Sequence, residues 1–123
     1  MSGPAYKPLV QLTNAPTSAL TASVATYYTV PDRPDNAITI VRGMILSNTD
    51  TSARTVQVYN VASGGSAAQT NAILYDVSIP ANTVVQFSFG EGEWVMTAGM
   101  TIQAKASSAS VVTLTLGGCE IVP

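Results

Sequence analysis

Along most of the chain apolar and polar residues alternate with a period of two, the pattern of strands that bury one face. Ile102, Ala104 and Ala106 alternate with Gln103 and Lys105, and Val112, Leu114 and Leu116 alternate with Thr113 and Thr115. Val85, Phe87 and Phe89 alternate with Gln86 and Ser88. Over residues 72–79 the same rule puts Ile73, Tyr75, Val77 and Ile79 on one side and Leu74, Asp76 and Ser78 on the other. The pattern predicts strands over 25–30, 37–47, 54–60, 72–79, 83–89, 94–96, 101–106 and 110–116, with a short one over 120–122. No segment carries the 3.6-residue period of an amphipathic helix. Abundant Val and Thr suit a pleated, half-buried surface.

Turn chemistry separates the strands. "VPDRPDN", "NTDTSA" and "SSAS" are rich in residues that bend the chain and hydrogen-bond their own backbone. "IPAN" predicts a short hairpin with Pro80 early in its turn. "VASGGSAAQTN" is the longest connector, with Gly64 and Gly65 at its apex. Short strands punctuated in this way predict an all-β fold, an antiparallel β-sandwich of about eight strands, jelly-roll or immunoglobulin-like.

The strand over 37–47 is apolar on both nominal faces. Ile38, Ile40, Arg42, Met44 and Leu46 share one side, and Val41, Gly43 and Ile45 the other. Such a strand is expected to be covered on both faces. Arg42 then has two fates: a β-bulge near Gly43 turns it outward, or it is buried and needs a carboxylate or a partner's carbonyls. Both point to a structural strand at a contact.

Residues 1–20 differ in character from the sandwich domain expected over 21–123. Pro4, Pro8 and Pro16 interrupt any period, and proline removes a backbone donor. This arm is expected to be extended and poorly paired within its own sheet. Tyr6, Leu9, Val10 and Leu12 give it apolar grips for a neighbouring subunit; a disordered tail is the alternative.

Composition sharpens the picture. Charged residues make up 10% of the 123, against about 25% in an ordinary soluble domain. Either much of the surface is covered in an assembly, or the chain is a soluble β-domain with a Thr-rich surface. The net charge is -2 and the five basic residues are scattered, so no phosphate-tracking stripe for nucleic acid is expected. No stretch reaches the roughly eighteen apolar residues of a membrane helix. The first residues lack a secretory pattern, and Ser2 follows Met1 where a myristoylated chain needs glycine. The chain is expected to fold in a reducing cytosol.

Catalytic chemistry is sparse. There is no histidine and one cysteine, Cys119, read as a small apolar residue of the last strand. That excludes Ser-His-Asp and Cys-His catalysis and removes the usual metal ligands. Asp32, Asp35, Glu91 and Glu93 sit in Gly/Pro-rich loops and read as turn formers, with a loop calcium site as the alternative. No enzyme activity, metal or cofactor is expected. Trp94, the only tryptophan, either packs against Phe87 and Phe89 or lies exposed as an anchor for a sugar or partner.

Between Tyr27 and Ile121 the order "Y-x-V-P", an apolar strand ending in "SNT", "ARTVQVY", "GGS", "IPANT", "W-x-x-x-A-G", "I-x-A-x-A" and a final Thr/Val strand resembles small tailed-bacteriophage virion domains. The resemblance implies a non-enzymatic β-sandwich that assembles in the virion as a symmetric oligomer, a dimer or trimer. Members of such groups are capsid decoration (cement) proteins, head fibres, or tail and baseplate pieces. The expected role is a cement protein on the capsid surface, assembled in the host cytoplasm, that binds the major capsid protein and stabilises the head. A tail- or fibre-associated virion protein and a carbohydrate-binding module are the alternatives. Tyr6, Leu9, Val10, Leu12, Arg42 and Trp94 are the expected subunit or capsid contacts.

Overall fold

The computed structural model describes residues 5–11, 17–31, 38–89 and 94–122; side chains are described over 18–31, 38–89 and 94–120. The strands are β1 (Ala5–Gln11), β2 (Thr17–Ala19), β3 (Ala25–Thr29), β4 (Ile38–Asn48), β5 (Arg54–Val61), β6 (Ala72–Ile79), β7 (Thr83–Ser88), β8 (Val95–Thr97), β9 (Thr101–Ala106) and β10 (Val112–Val122). A short 3-10 turn, Gln69–Asn71, precedes β6. All pairings are antiparallel. Sheet A runs β1-β10-β4-β7, with β2 also on β10 and β8 on β4; sheet B runs β3-β9-β5-β6.

The fold is therefore the β-sandwich expected from the alternation, and its connectivity distinguishes the two topologies. The order β2-β10-β4-β7 facing β3-β9-β5-β6 is that of an eight-stranded jelly roll. The core lies between the sheets. Val41, Met44, Leu46, Val112, Leu114 and Leu116 from sheet A meet Val56, Val58, Ile79, Ile102, Ala104 and Ala106 from sheet B. Each large aliphatic side chain removed from water there contributes about 1.5–3 kcal/mol relative to exposure.

Several local features depart from the expected pattern, and three of them bear on the outer faces and connectivity. In β4, Gly43 faces Gly117 while Val41 faces Gly118, so Arg42 is an extra residue, a β-bulge. The bulge leaves Arg42 exposed and brings Val41 into phase with Met44 and Leu46 inside. Ile38, Ile40 and Met44 therefore do not share one continuous face. In β6, Val77 faces Val56 and Leu74 faces Val58, so Tyr75 and Asp76 both stand opposite Gln57. Tyr75 points to solvent with Asp76 and not to the core with Val77 and Ile79. "IPAN" makes a tight turn with Asn82 at φ 53, but it carries the chain from β6 in sheet B to β7 in sheet A, so the expected hairpin is a crossover between sheets.

The N-terminal region is extended, as expected, but paired within its own chain. Ala5 faces Val122, Tyr6 faces Ile121, and Thr17 to Ala19 face Thr115 to Thr113. The physical reason is the length of β10, whose second edge would otherwise present unpaired backbone groups. Pro8 is tolerated because β1 is an edge strand. Leu20 is fully buried and its N–H donates to the Val112 carbonyl at 2.7 Å, which ties the end of the arm to the core. Leu12 lies outside the described residues, as do Asp32, Asp35, Glu91 and Glu93, and of Tyr6, Leu9 and Val10 only the backbone in β1 is described.

Candidate interaction surface

The outer face of sheet A is built by the residues that alternate with the core set. β10 contributes Thr113, Thr115 and Gly117; β4 contributes Arg42, Ile45 and Ser47; β7 contributes Val84, Gln86 and Ser88. Cross-strand neighbours place Thr115 beside Ile45 and Ile45 beside Gln86. Gly43 and Gly117 face each other where two side chains would otherwise stand. Their absence opens a trough of about 520 Å³ with Arg42, Ile45, Gln86, Ser88 and Thr115 around a glycine floor. Val84 is 62% exposed, Val95 45% and Ile45 38%. These apolar side chains form a discontinuous patch at the trough, with Ser, Thr, Gln and the single charged residue Arg42 between them.

The glycines of the trough are not equivalent. An added Cβ at Gly117 would have its nearest neighbour at 4.0 Å, whereas at Gly43 it would meet the Phe87 carbonyl oxygen at 2.9 Å and at Gly118 the Ile40 carbonyl oxygen at 2.1 Å. Close strand approach at the Arg42 bulge therefore requires glycine at 118. The sequence signal was the "GG" within an otherwise continuous Thr/Val strand. Alternation alone split that strand into two.

A second polar constellation lies inside the sandwich. The Tyr28 hydroxyl donates to Glu120 Oε2 at 2.5 Å and lies 2.8 Å from Thr39 Oγ1. All three residues are buried. With its proton committed to Glu120, the phenol oxygen accepts from Thr39. Burial, and then the hydrogen bond to Glu120, push the Tyr28 phenol far above its ordinary value. This arrangement accommodates a buried carboxylate by giving it a hydroxyl donor. It offers no nucleophile with a matched base.

Trp94 is buried, with its ring edge-to-face on Phe89 at 5.1 Å and 84°. That is the core-packing alternative for this residue, although the indole N–H finds no hydrogen-bond partner among the described residues. The ring has little surface to offer a sugar or another chain, so of the expected contact residues with described side chains only Arg42 lies on an open face. Ile45, Val84 and Gln86 of that face were not singled out from sequence, because an exposed apolar residue in a strand reads the same as a core one until the register is known. Cys119 is half-buried and free. Among the described residues no three His, Cys, Asp or Glu side chains cluster to hold a metal ion. No helix among them is long and apolar enough to cross a membrane. No protein-family model matches the chain, and no curated protein is significantly similar to it.

Proposed function

We propose that the chain is a non-enzymatic structural protein of a tailed-bacteriophage virion, a capsid decoration protein that binds the assembled head through the outer face of sheet A. The observation that carries this reading is that face: exposed Ile45, Val84 and Val95 beside an open glycine-floored trough, on a chain with 10% charged residues. A surface with so few charges is suited to burial against other subunits, because little ionic desolvation opposes contact. The jelly-roll order is compatible with the reading, since capsid domains use it, though the fold is shared by proteins of other functions. A protein that binds only the assembled shell stabilises it by mass action, and many weak sites on one lattice reinforce one another.

The test is reattachment. Purified chain is added to shells that lack it, and occupancy is read after sedimentation. Ile45→Glu with Val84→Glu places charge on the outer face without touching the core. Loss of at least about tenfold in apparent affinity, near 1.4 kcal/mol, is expected. Undiminished occupancy by a folded double variant would remove sheet A from the contact.

A further inference from the structure

The outer face of sheet B carries a polar and aromatic network that the proposed contact does not use. Its basis is the β6 bulge. In a regular strand Tyr75 and Asp76 would point to opposite faces. Here both oppose Gln57, Asp76 adopts the left-handed region at φ 52, and ring and carboxylate are both exposed. A non-glycine residue held at positive φ costs free energy, and such positions concentrate at functional sites.

The groups around the bulge are already ordered. Gln57 Nε2 donates to Asp76 Oδ1 at 2.7 Å, and the Gln57 amide oxygen accepts from the Tyr59 hydroxyl. Gln69 Nε2 donates to the Tyr75 hydroxyl at 2.9 Å, which holds that ring. Lys105 is the cross-strand neighbour of Gln57 on β9. A row of ammonium, amide and carboxylate thus crosses three strands beside a ring that is 45% exposed. Burial, then the nearby Tyr75 and Asp76, push the Tyr59 phenol up, consistent with close approach of the three groups.

We propose that this face is a shallow binding site for a neutral pyranoside, with Tyr75 as the platform for the sugar's C–H face and Gln57, Asp76 and Lys105 as partners of its hydroxyls. Three features select that chemistry. A half-exposed ring offers an apolar face with a polar rim, which matches a pyranose. Planar amide and carboxylate groups take adjacent hydroxyls in pairs. One carboxylate and one ammonium in the row leave no net charge to favour an anionic or cationic ligand. The site has no walls, so single-site affinity is weak, with a Kd on the order of 1 mM, near 4 kcal/mol.

The test uses the full chain, displayed multivalently on beads, against an array of neutral, sialylated and sulfated glycans. Binding to neutral glycans is expected, lost in Tyr75→Ala and reduced at least about tenfold in Asp76→Asn, with melting temperatures unchanged. Asparagine tolerates the left-handed conformation, so Asp76→Asn removes the charge without disturbing the bulge. No glycan binding by the parent chain, binding restricted to anionic glycans, or binding indifferent to both folded variants would each overturn the proposal. Chemical shift changes at Gln57 and Lys105 on titration with the best neutral glycan locate the site independently.

Discussion

Gly118→Ala provides a sharp test of the sheet A geometry, because its neighbour is the control. A Cβ at Gly118 would lie 2.1 Å from the Ile40 carbonyl oxygen, 3.1 Å from the Ile40 carbonyl carbon and 3.0 Å from Val41 Cα. All three are backbone atoms of β4, so no side chain can swing away. Carbon–oxygen contacts between strands normally begin near 3.3 Å, so β10 and β4 must separate by about 1 Å. Overpacking of this kind costs about 1–3 kcal/mol. Weakening one ladder hydrogen bond adds about 1 kcal/mol. A destabilisation of about 3 kcal/mol corresponds to a melting temperature roughly 10 °C lower in a domain of this size. Gly117→Ala meets nothing closer than the Gly43 carbonyl oxygen at 4.0 Å. It is expected to stay within about 0.5 kcal/mol of the parent. Thermal and urea denaturation followed by circular dichroism measure both. A Gly118→Ala midpoint within about 2 °C of the parent, or equal losses in the two variants, would refute the close strand approach at the Arg42 bulge.

Other consequences concern the polar groups. Tyr28→Phe removes the hydroxyl donor to buried Glu120 and is expected to cost about 1.5–3 kcal/mol by urea denaturation. Because the Tyr28 phenol is raised in the fold, its contribution is complete below the ordinary tyrosine range near pH 10 and is lost as pH rises above it. The parent's stability should therefore fall more steeply above pH 10 than that of Tyr28→Phe, and parallel curves would contradict the assignment. Asn48 Nδ2 donates to the carbonyls of Ser52, Ile79 and Pro80, and its Oδ1 accepts from the Asp50 N–H. Asn48→Asp turns the amide donors into a carboxylate facing carbonyl oxygens, and should cost more than Asn48→Ala at pH 7. The Arg54 guanidinium, first by its hydrogen bond, holds the Asp50 carboxyl below its usual range, so its contribution is present above pH 4 and fades as pH falls. Asp50→Asn should flatten that acid limb by losing this contribution at neutral pH, with its stability converging on the parent's as pH falls below 4.

The sequence was most legible where strands are regular. Ile102, Ala104 and Ala106 in β9, and Val112, Leu114 and Leu116 in β10, are buried as their alternation requires. It was least legible at bulges, because one inserted residue reverses every face beyond it. Tyr75 read as a partner of Val77, and Met44 as a partner of Ile40, for that reason. The arm was obscured differently. Its prolines argued against pairing, yet an edge strand needs only one set of ladder bonds, and β10 supplied the acceptor edge. The outer-face residues Ile45, Val84 and Gln86 carry no local signature, since exposure is decided by register and by which sheet receives each strand. Arg42 alone announced itself, as a charge in an apolar run.

Decoration of a phage head, as proposed, fixes how many copies of the chain a particle carries. If the proposal holds, quantitative mass spectrometry of purified virions finds the chain and gives its ratio to the major coat protein. A decoration protein is expected at a simple fraction of the coat protein, on the order of hundreds of copies set by lattice symmetry. A handful of copies would instead assign the chain to the tail or portal axis, and its absence from the particles would contradict the virion reading altogether.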